Sequence, residues 1–242
     1  MKKSIIVLLT TSSIALLLTG CIHDFSYGIR GKGPTVKETR DARGFTKINS
    51  GASFDVDLTQ APDFKVEVEG QQNILNVLKT EVQSDQTLKI YFDKSVGNYK
   101  ELKVHIFAPN IDGLTISGSG NLKALNTLTG KTLTLDVHGS GDVKIPEATY
   151  ETLQGEVSGS GSIEISGTAT EANFHVSGSG DLKGDDMKCK KVTCSVSGSG
   201  NLGCYASESL EAKVTGSGDV HYKGHPTNVV QKSSGSGSIS SN

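Results

Sequence analysis

The chain has no tryptophan, and its aromatic share is only 5% of 242 residues. Sugar faces usually stack on aromatic platforms, so a carbohydrate-binding surface of that kind has little to be built from. Cationic residues are not in excess: 24 Lys and Arg stand against 26 Asp and Glu, a net charge of −2, and no stretch concentrates them. Such a chain offers no electrostatic footprint for a nucleic-acid partner. Long apolar runs are missing as well. The one extended run, from Ile5 to Leu18, is too short to cross a bilayer.

That run follows Lys2 and Lys3 and ends in Leu18-Thr19-Gly20-Cys21, small residues before a cysteine. This is the pattern of a bacterial signal peptide closing on a lipobox. Residues 1–20 are read as a cleaved signal peptide and Cys21 as the lipidation site, against an ordinary secretory signal followed by an incidental cysteine. A diacylglycerol on Cys21 would tie the protein to a membrane without threading it through. Residues 21–43 are read as the lipidated N-terminus and a tether, glycine-rich up to about Gly33. Ile22, in place of an aspartate after the cysteine, points to the outer membrane.

Beyond Cys21 only Cys189, Cys194 and Cys204 remain, an odd number that leaves at least one unpaired. A disulfide between two of them and three free thiols are both open, with Cys194 and Cys204 on expected inward positions. No histidine lies near them at zinc-finger spacing, so no zinc site is expected.

What the chain has in abundance is glycine, with 29 residues, and much of it falls into one motif. Gly-Ser-Gly, then Asn, Asp or Ser, then Leu, Val or Ile, recurs seven times, beginning at Gly118, Gly139, Gly159, Gly178, Gly198, Gly216 and Gly235. The separations are 21, 20, 19, 20, 18 and 19 residues, with no helical pattern inside them. A fixed period near twenty marks a repeat fold whose units bury their apolar face only against one another.

Aligned on the first glycine, the copies form columns. Two residues before it stand Ile116, Val137, Val157, Val176, Val196 and Val214; four after it stand Leu122, Val143, Ile163, Leu182, Leu202 and Val220. Further apolar columns lie four and six residues before it, the latter running from Leu133 to Val229, and six after it, from Ala124 to Tyr222. Alternation with a step of two is a strand with one buried face, so each coil should supply about five inward side chains. One coil alone buries too little to offset the ordering of its residues, so stacking is obligatory.

The paired glycines Gly118 and Gly120, Gly139 and Gly141, Gly159 and Gly161, Gly178 and Gly180, Gly198 and Gly200, Gly216 and Gly218 are expected as structural turns. There glycine would allow positive φ and close approach of the next coil. The residue after each triplet (Asn121, Asp142, Ser162, Asp181, Asn201, Asp219, Ser238) can bond local backbone and form a ladder with its equivalents. A calcium reading of that ladder fits poorly, because calcium-binding β-roll repeats are about half as long and more acidic.

Residues 44–110 lack the triplet but alternate as strands, as at Phe54, Val56 and Leu58. Only Asn73 to Val82 has helical spacing, enough for one short turn. This segment is expected to form the first coils or a cap, because an open sheet edge invites aggregation. The fold expected for residues 44–242 is therefore an all-β, single-stranded β-solenoid with coils of about twenty residues, right-handed in its winding.

The segments Gly44-Phe45-Thr46-Lys47-Ile48, Phe54-Asp55-Val56-Asp57-Leu58-Thr59-Gln60, and Leu102 to Pro109 leading into Leu114-Thr115-Ile116-Ser117-Gly118-Ser119-Gly120 resemble the auto-transporter adhesin, head GIN domain family. The resemblance runs from about residue 44 to 225. It implies a secreted or surface-attached β-solenoid, often a lipoprotein of the Bacteroidetes type, and carries no catalytic residues.

Titratable groups do not converge: His138, His175 and His221 fall in different columns, and Asp185 with Asp186 is read as a solvated loop. The triplet serines have no base nearby. No cofactor, metal or catalytic residue is expected. Two functions from different classes remain. One is a lipid-anchored adhesive or structural rod in the cell envelope, with the membrane and a surface protein or glycan as partners. The other is a carbohydrate-active solenoid meeting an anionic glycan with the column Lys123, Lys144 and Lys183.

Overall fold

A computed structural model describes residues 28–241. The signal peptide, Cys21 and the start of the tether lie outside the described residues. The first half contains β1 (Thr35–Arg40), β2 (Lys47–Ser50), β3 (Asp55–Gln60), β4 (Lys65–Gln71), α1 (Gln72–Leu75), β5 (Leu78–Val82), β6 (Thr87–Phe92) and β7 (Lys103–Ala108). Then follow β8 (Gly113–Ile116), β9 (Leu122–Ala124), β10 (Leu128–Val137), β11 (Val143–Val157), β12 (Ile163–Val176) and β13 (Leu182–Val196). The last are β14 (Leu202–Val214), β15 (Val220–Lys223), β16 (Asn228–Ser233) and β17 (Ile239–Ser241). Together they wind an all-β solenoid of about 6 turns.

In the repeat half, each coil lies parallel and in register on the next. Val137 pairs with Val157, Val157 with Val176, Val176 with Val196 and Val196 with Val214. All five are at most 1% exposed, so the valine column is a continuous strip of core. On the other side of the turn, Leu122, Val143, Ile163, Leu182, Leu202 and Val220 stack the same way and are fully buried.

The coils hold more inward residues than a fixed alternation predicts. In β11 the pattern breaks where Pro146 and Glu147 both face solvent, and again at Glu151 and Thr152. Each break is a corner, so one continuous strand makes three short sides, and the phase of alternation is reset at each. The middle side adds Ala148 and Tyr150 to the core, and in β13 it adds Met187 and Cys189. Asp185 and Asp186, expected in a loop, lie inside β13 at its first corner, where the register with β14 shifts.

Close approach, rather than left-handed φ, explains the glycine pairs. Of the triplet glycines only Gly235 has positive φ. A Cβ built on Gly139 or Gly141 would fall within 3.0 Å of the carbonyl oxygen of Gly118 or Gly120 one coil below, and the same clash recurs at every later triplet. Serine at the middle position points outward and meets no such limit.

The first half supplies both coils and cap. β2 and β3 form a coil directly beneath β8 and β9, with Ser50 beside Ile116 and Val56 beside Leu122. Beneath that lies a coil made of β6 and β7. The chain thus lays down a middle coil first, builds the end of the stack, and only then adds the coil above. The end is closed by antiparallel strands: β5 on β6, β4 on β7 and β1 on β4. β1 falls within residues 21–43, so the sheet begins ahead of residue 44 and the stretch 35–40 is strand, not tether. Gln71, 4% exposed, links this cap to the N-terminal stretch by donating to the Gly33 carbonyl and accepting from the Lys100 N–H. The expected helical stretch is shorter than its spacing suggests, since residues 78–82 extend as β5.

Among the described residues, the opposite end has no such cover. Val229 continues the Leu133 column but is 39% exposed, because no coil lies above β16. Gln231 and Ser233 occupy the columns of Ala212 and Val214 there, and Ser241 that of Tyr222, so the last coil turns polar where the core would meet water.

Candidate functional site

The triplet corner carries a side-chain ladder. Asn121 donates its backbone N–H to Asp55 Oδ1 at 3.0 Å, Asp142 donates to Asn121 Oδ1 at 3.0 Å, and Ser162 donates to Asp142 Oδ1 at 2.8 Å. A second run repeats the same residue types: Asp181, Asn201, Asp219 and Ser238. Each run ends on serine, whose hydroxyl is turned back to donate to the preceding aspartate. The Ser238 hydroxyl and N–H hold the Asp219 carboxyl below its usual pKa. Among the described residues no three of His, Cys, Asp and Glu converge as metal ligands.

The lysine column is broken. Asp57, Lys123, Lys144, Glu164 and Lys183 follow one another on successive coils, and Lys144 Nζ pairs with Glu164 Oε1 at 2.5 Å. Above Lys183 the column reaches Gly203, over which the Asp185 carboxylate lies. A polyanion would therefore meet both signs of charge along this face.

One serine has a histidine beside it. Ser158 Oγ is 2.8 Å from His138 Nδ1, and Asp136 stands two residues before the histidine, the residue types of a nucleophile relay. Asp136 is pushed up, first by burial. The same contact recurs at His175 with Ser195, 2.7 Å, and at His221 with Ser240, 2.9 Å, each joining consecutive coils in a different column. Around Ser158 the backbone N–H groups of residues 158–161 all donate to Val137 or Gly139 of the coil below. None is left to stabilise an oxyanion, so the pair reads as a rung of the stack.

Cys189, Cys194 and Cys204 are free thiols and all are buried. The hydrogen bond with Cys194, then burial, drives the Cys204 thiol up, and burial pushes Cys189 up to about 12. Neither is a thiolate near neutral pH, which is what a nucleophile or metal ligand would need.

Two of the concavities bear on function. In the cap, Lys37, Lys100, Lys103 and His105 line a cleft of about 550 Å³ with Glu69 and Glu101. Lys37 pairs with Glu69 at 3.5 Å, Lys103 with Glu101 at 3.0 Å, and His105 lies 3.4 Å from Asp57. The charges largely cancel, and exposed pairs of this kind contribute about 0–1 kcal/mol each. The second is a trough of about 530 Å³ on the face formed by β11 to β14 and β16. One wall is the column Gln154, Asn173, Thr193, Glu211; the other is Thr152, Glu171, Lys191, Ser209, Asn228. Its floor is the backbone at Ala172, Val192 and Leu210, whose side chains point into the core. Columns alone did not reveal it, because it forms between two rows whose members are about a coil apart in the chain.

The geometry has close parallels. A putative adhesin from Bacteroides fragilis is 30% identical, with a TM-score of 0.85 over 89% of this chain and 100% of that one. A putative adhesin from Parabacteroides distasonis is 25% identical, with a TM-score of 0.72 over 88% of this chain and 99% of that one. A second Parabacteroides distasonis structure, described as a putative lipid binding protein, is 26% identical, with a TM-score of 0.74 over the same shares, 88% and 99%. The chain matches none of the curated proteins. The family described as "Putative auto-transporter adhesin, head GIN domain" matches residues 44–226, and with the Bacteroides fragilis likeness this shows that the chain belongs to that family.

Proposed function

We propose that the chain is a lipid-anchored protein of the cell envelope, held at the outer membrane through Cys21, whose solenoid is non-catalytic and presents polar sheet faces to a partner in an adhesin-like role. Membership of an adhesin-like family and the envelope location it suggests support the coarse part of this reading. The observation that carries the rest is the way polar groups at the turns are spent on neighbouring coils: ladder, His–Ser rungs and turn N–H groups all hold the stack together. Such a rod offers rigid, repeated surfaces and no preorganised reaction centre.

Deletion of the gene should reduce attachment of the cells to a host-derived or neighbouring-cell surface, and Cys21→Ser should move the protein from the membrane to the soluble fraction. Turnover of any polysaccharide by the purified chain would count against the non-catalytic part. Unchanged membrane association of the Cys21→Ser chain would count against the anchor.

A further inference from the structure

We propose that the trough across β11 to β14 is a track for an uncharged polysaccharide strand lying along the solenoid axis. The inference rests on the adhesive reading and names the ligand class and the face.

Unspent hydrogen-bonding capacity is the first ground. The side chains of Gln154, Asn173, Thr193, Thr152 and Asn228 line the trough and make no hydrogen bond within the protein. Four amides elsewhere on the framework are tied down: Asn121 to Asp55, Asn201 to Asp181, Gln60 to the Pro109 carbonyl, Gln71 to the Gly33 carbonyl. An amide side chain holds donor and acceptor side by side, as does a pair of neighbouring sugar hydroxyls.

Charge is the second ground. Glu171 and Lys191, on facing positions of β12 and β13, pair at 3.2 Å and neutralise one another. That leaves Glu211 in the wall, with Glu156 and Lys213 in the row beside the trough on the same face. Neither sign of charge is concentrated here, so the complementary ligand is neutral.

Spacing is the third. Parallel coils repeat about every 4.8 Å, a length comparable with one sugar residue of an extended chain, so consecutive sugars meet equivalent positions on consecutive coils. With no aromatic floor, each coil contributes little, and affinity must come from the number of coils engaged. The absence of tryptophan thus excludes a tight monosaccharide pocket and leaves a length-dependent track.

Calorimetry on the purified chain with cellohexaose, mannohexaose and laminarihexaose tests the proposal, with hexagalacturonate as the anionic comparator and an extended hexapeptide as the peptide one. At least one neutral hexamer should bind, and its trimer about tenfold or more weakly. The double substitution Gln154→Ala with Asn173→Ala should weaken binding about tenfold or more while the thermal melt stays unchanged. Lys144→Ala should leave binding as it is. Absence of binding by all three neutral hexamers, equal binding by the double variant, or preference for hexagalacturonate or the peptide would overturn the track. If cells carrying the double substitution still attach while the chain binds none of the hexamers, the track fails and the adhesive reading stands.

Discussion

The two halves of the solenoid solve the same packing problem by opposite means. From β8 onward, chain order and spatial order coincide, every coil resembles the last, and the turn admits nothing larger than glycine at two positions. Before β8 the order is permuted, antiparallel strands close the stack, and Phe54 sits where the coil above has Gly120. Phe54 fits because the coil below it is joined by residues 93–102 in place of a tight turn, leaving room for its ring against Phe92, centroids 6.0 Å apart. Repetition is thus a property of neighbours: a position is held to glycine when a turn of the same shape lies one coil below it.

The largest test is excision of a coil. Removing residues 159–177 joins Ser158 to Gly178 and restores the motif, so the shortened chain should still fold cooperatively with a smaller urea m-value. Removing residues 47–60 should abolish folding, since β2 and β3 separate two other coils. Equal tolerance of both excisions, by circular dichroism, would erase the distinction between the halves.

At the shared turn position the halves should fail in opposite ways. Phe54→Ala leaves a cavity and should cost about 3–5 kcal/mol in denaturant melts. Gly161→Ala drives a methyl group onto the Gly141 carbonyl and should cost about 3 kcal/mol. A neutral Gly161→Ala would remove the steric account of the triplet.

Ser50 occupies the inward column that holds Ile116 and the valines above it; it is 1% exposed and its hydroxyl has no partner. Ser50→Val should therefore raise stability by about 1 kcal/mol, by removing an unsatisfied hydroxyl and extending the apolar strip. A loss of stability would mean that the first coil is built on other terms than the repeats. Smallest of all, Lys144→Ala breaks an exposed pair with Glu164 and should change stability by less than about 1 kcal/mol, an effect reduced by salt.

Legibility in the sequence followed the same division. The columns ending at Val214 and Val220 could be read directly, because seven copies of one motif fix the alignment. Ala148, Tyr150, Met187 and Cys189 could not, because each corner places two residues outward in succession and shifts the phase of everything after it. Tyr150 also carries a signal that spacing omits: its hydroxyl donates to the Ile111 carbonyl, a partner far away in the chain. The order of the first coils was invisible for want of a motif to align them. Of the candidate sites, the turn glycines and the ladder followed from residue types. The trough did not, since it depends on which polar side chains remain unbonded after the stack has formed.

The permuted winding also bears on how the chain matures. β2 and β3 are made early, yet one of their two flanking coils, β8 and β9, is synthesised only after β4 to β7. As the polypeptide emerges from N-terminus to C-terminus, the earliest coil must wait, its apolar edge open, until the first glycine turn arrives to close it. Aggregation during biogenesis should concentrate in that interval, and a chaperone that protects the nascent protein has its natural substrate in the stretch from Phe45 to Ile106.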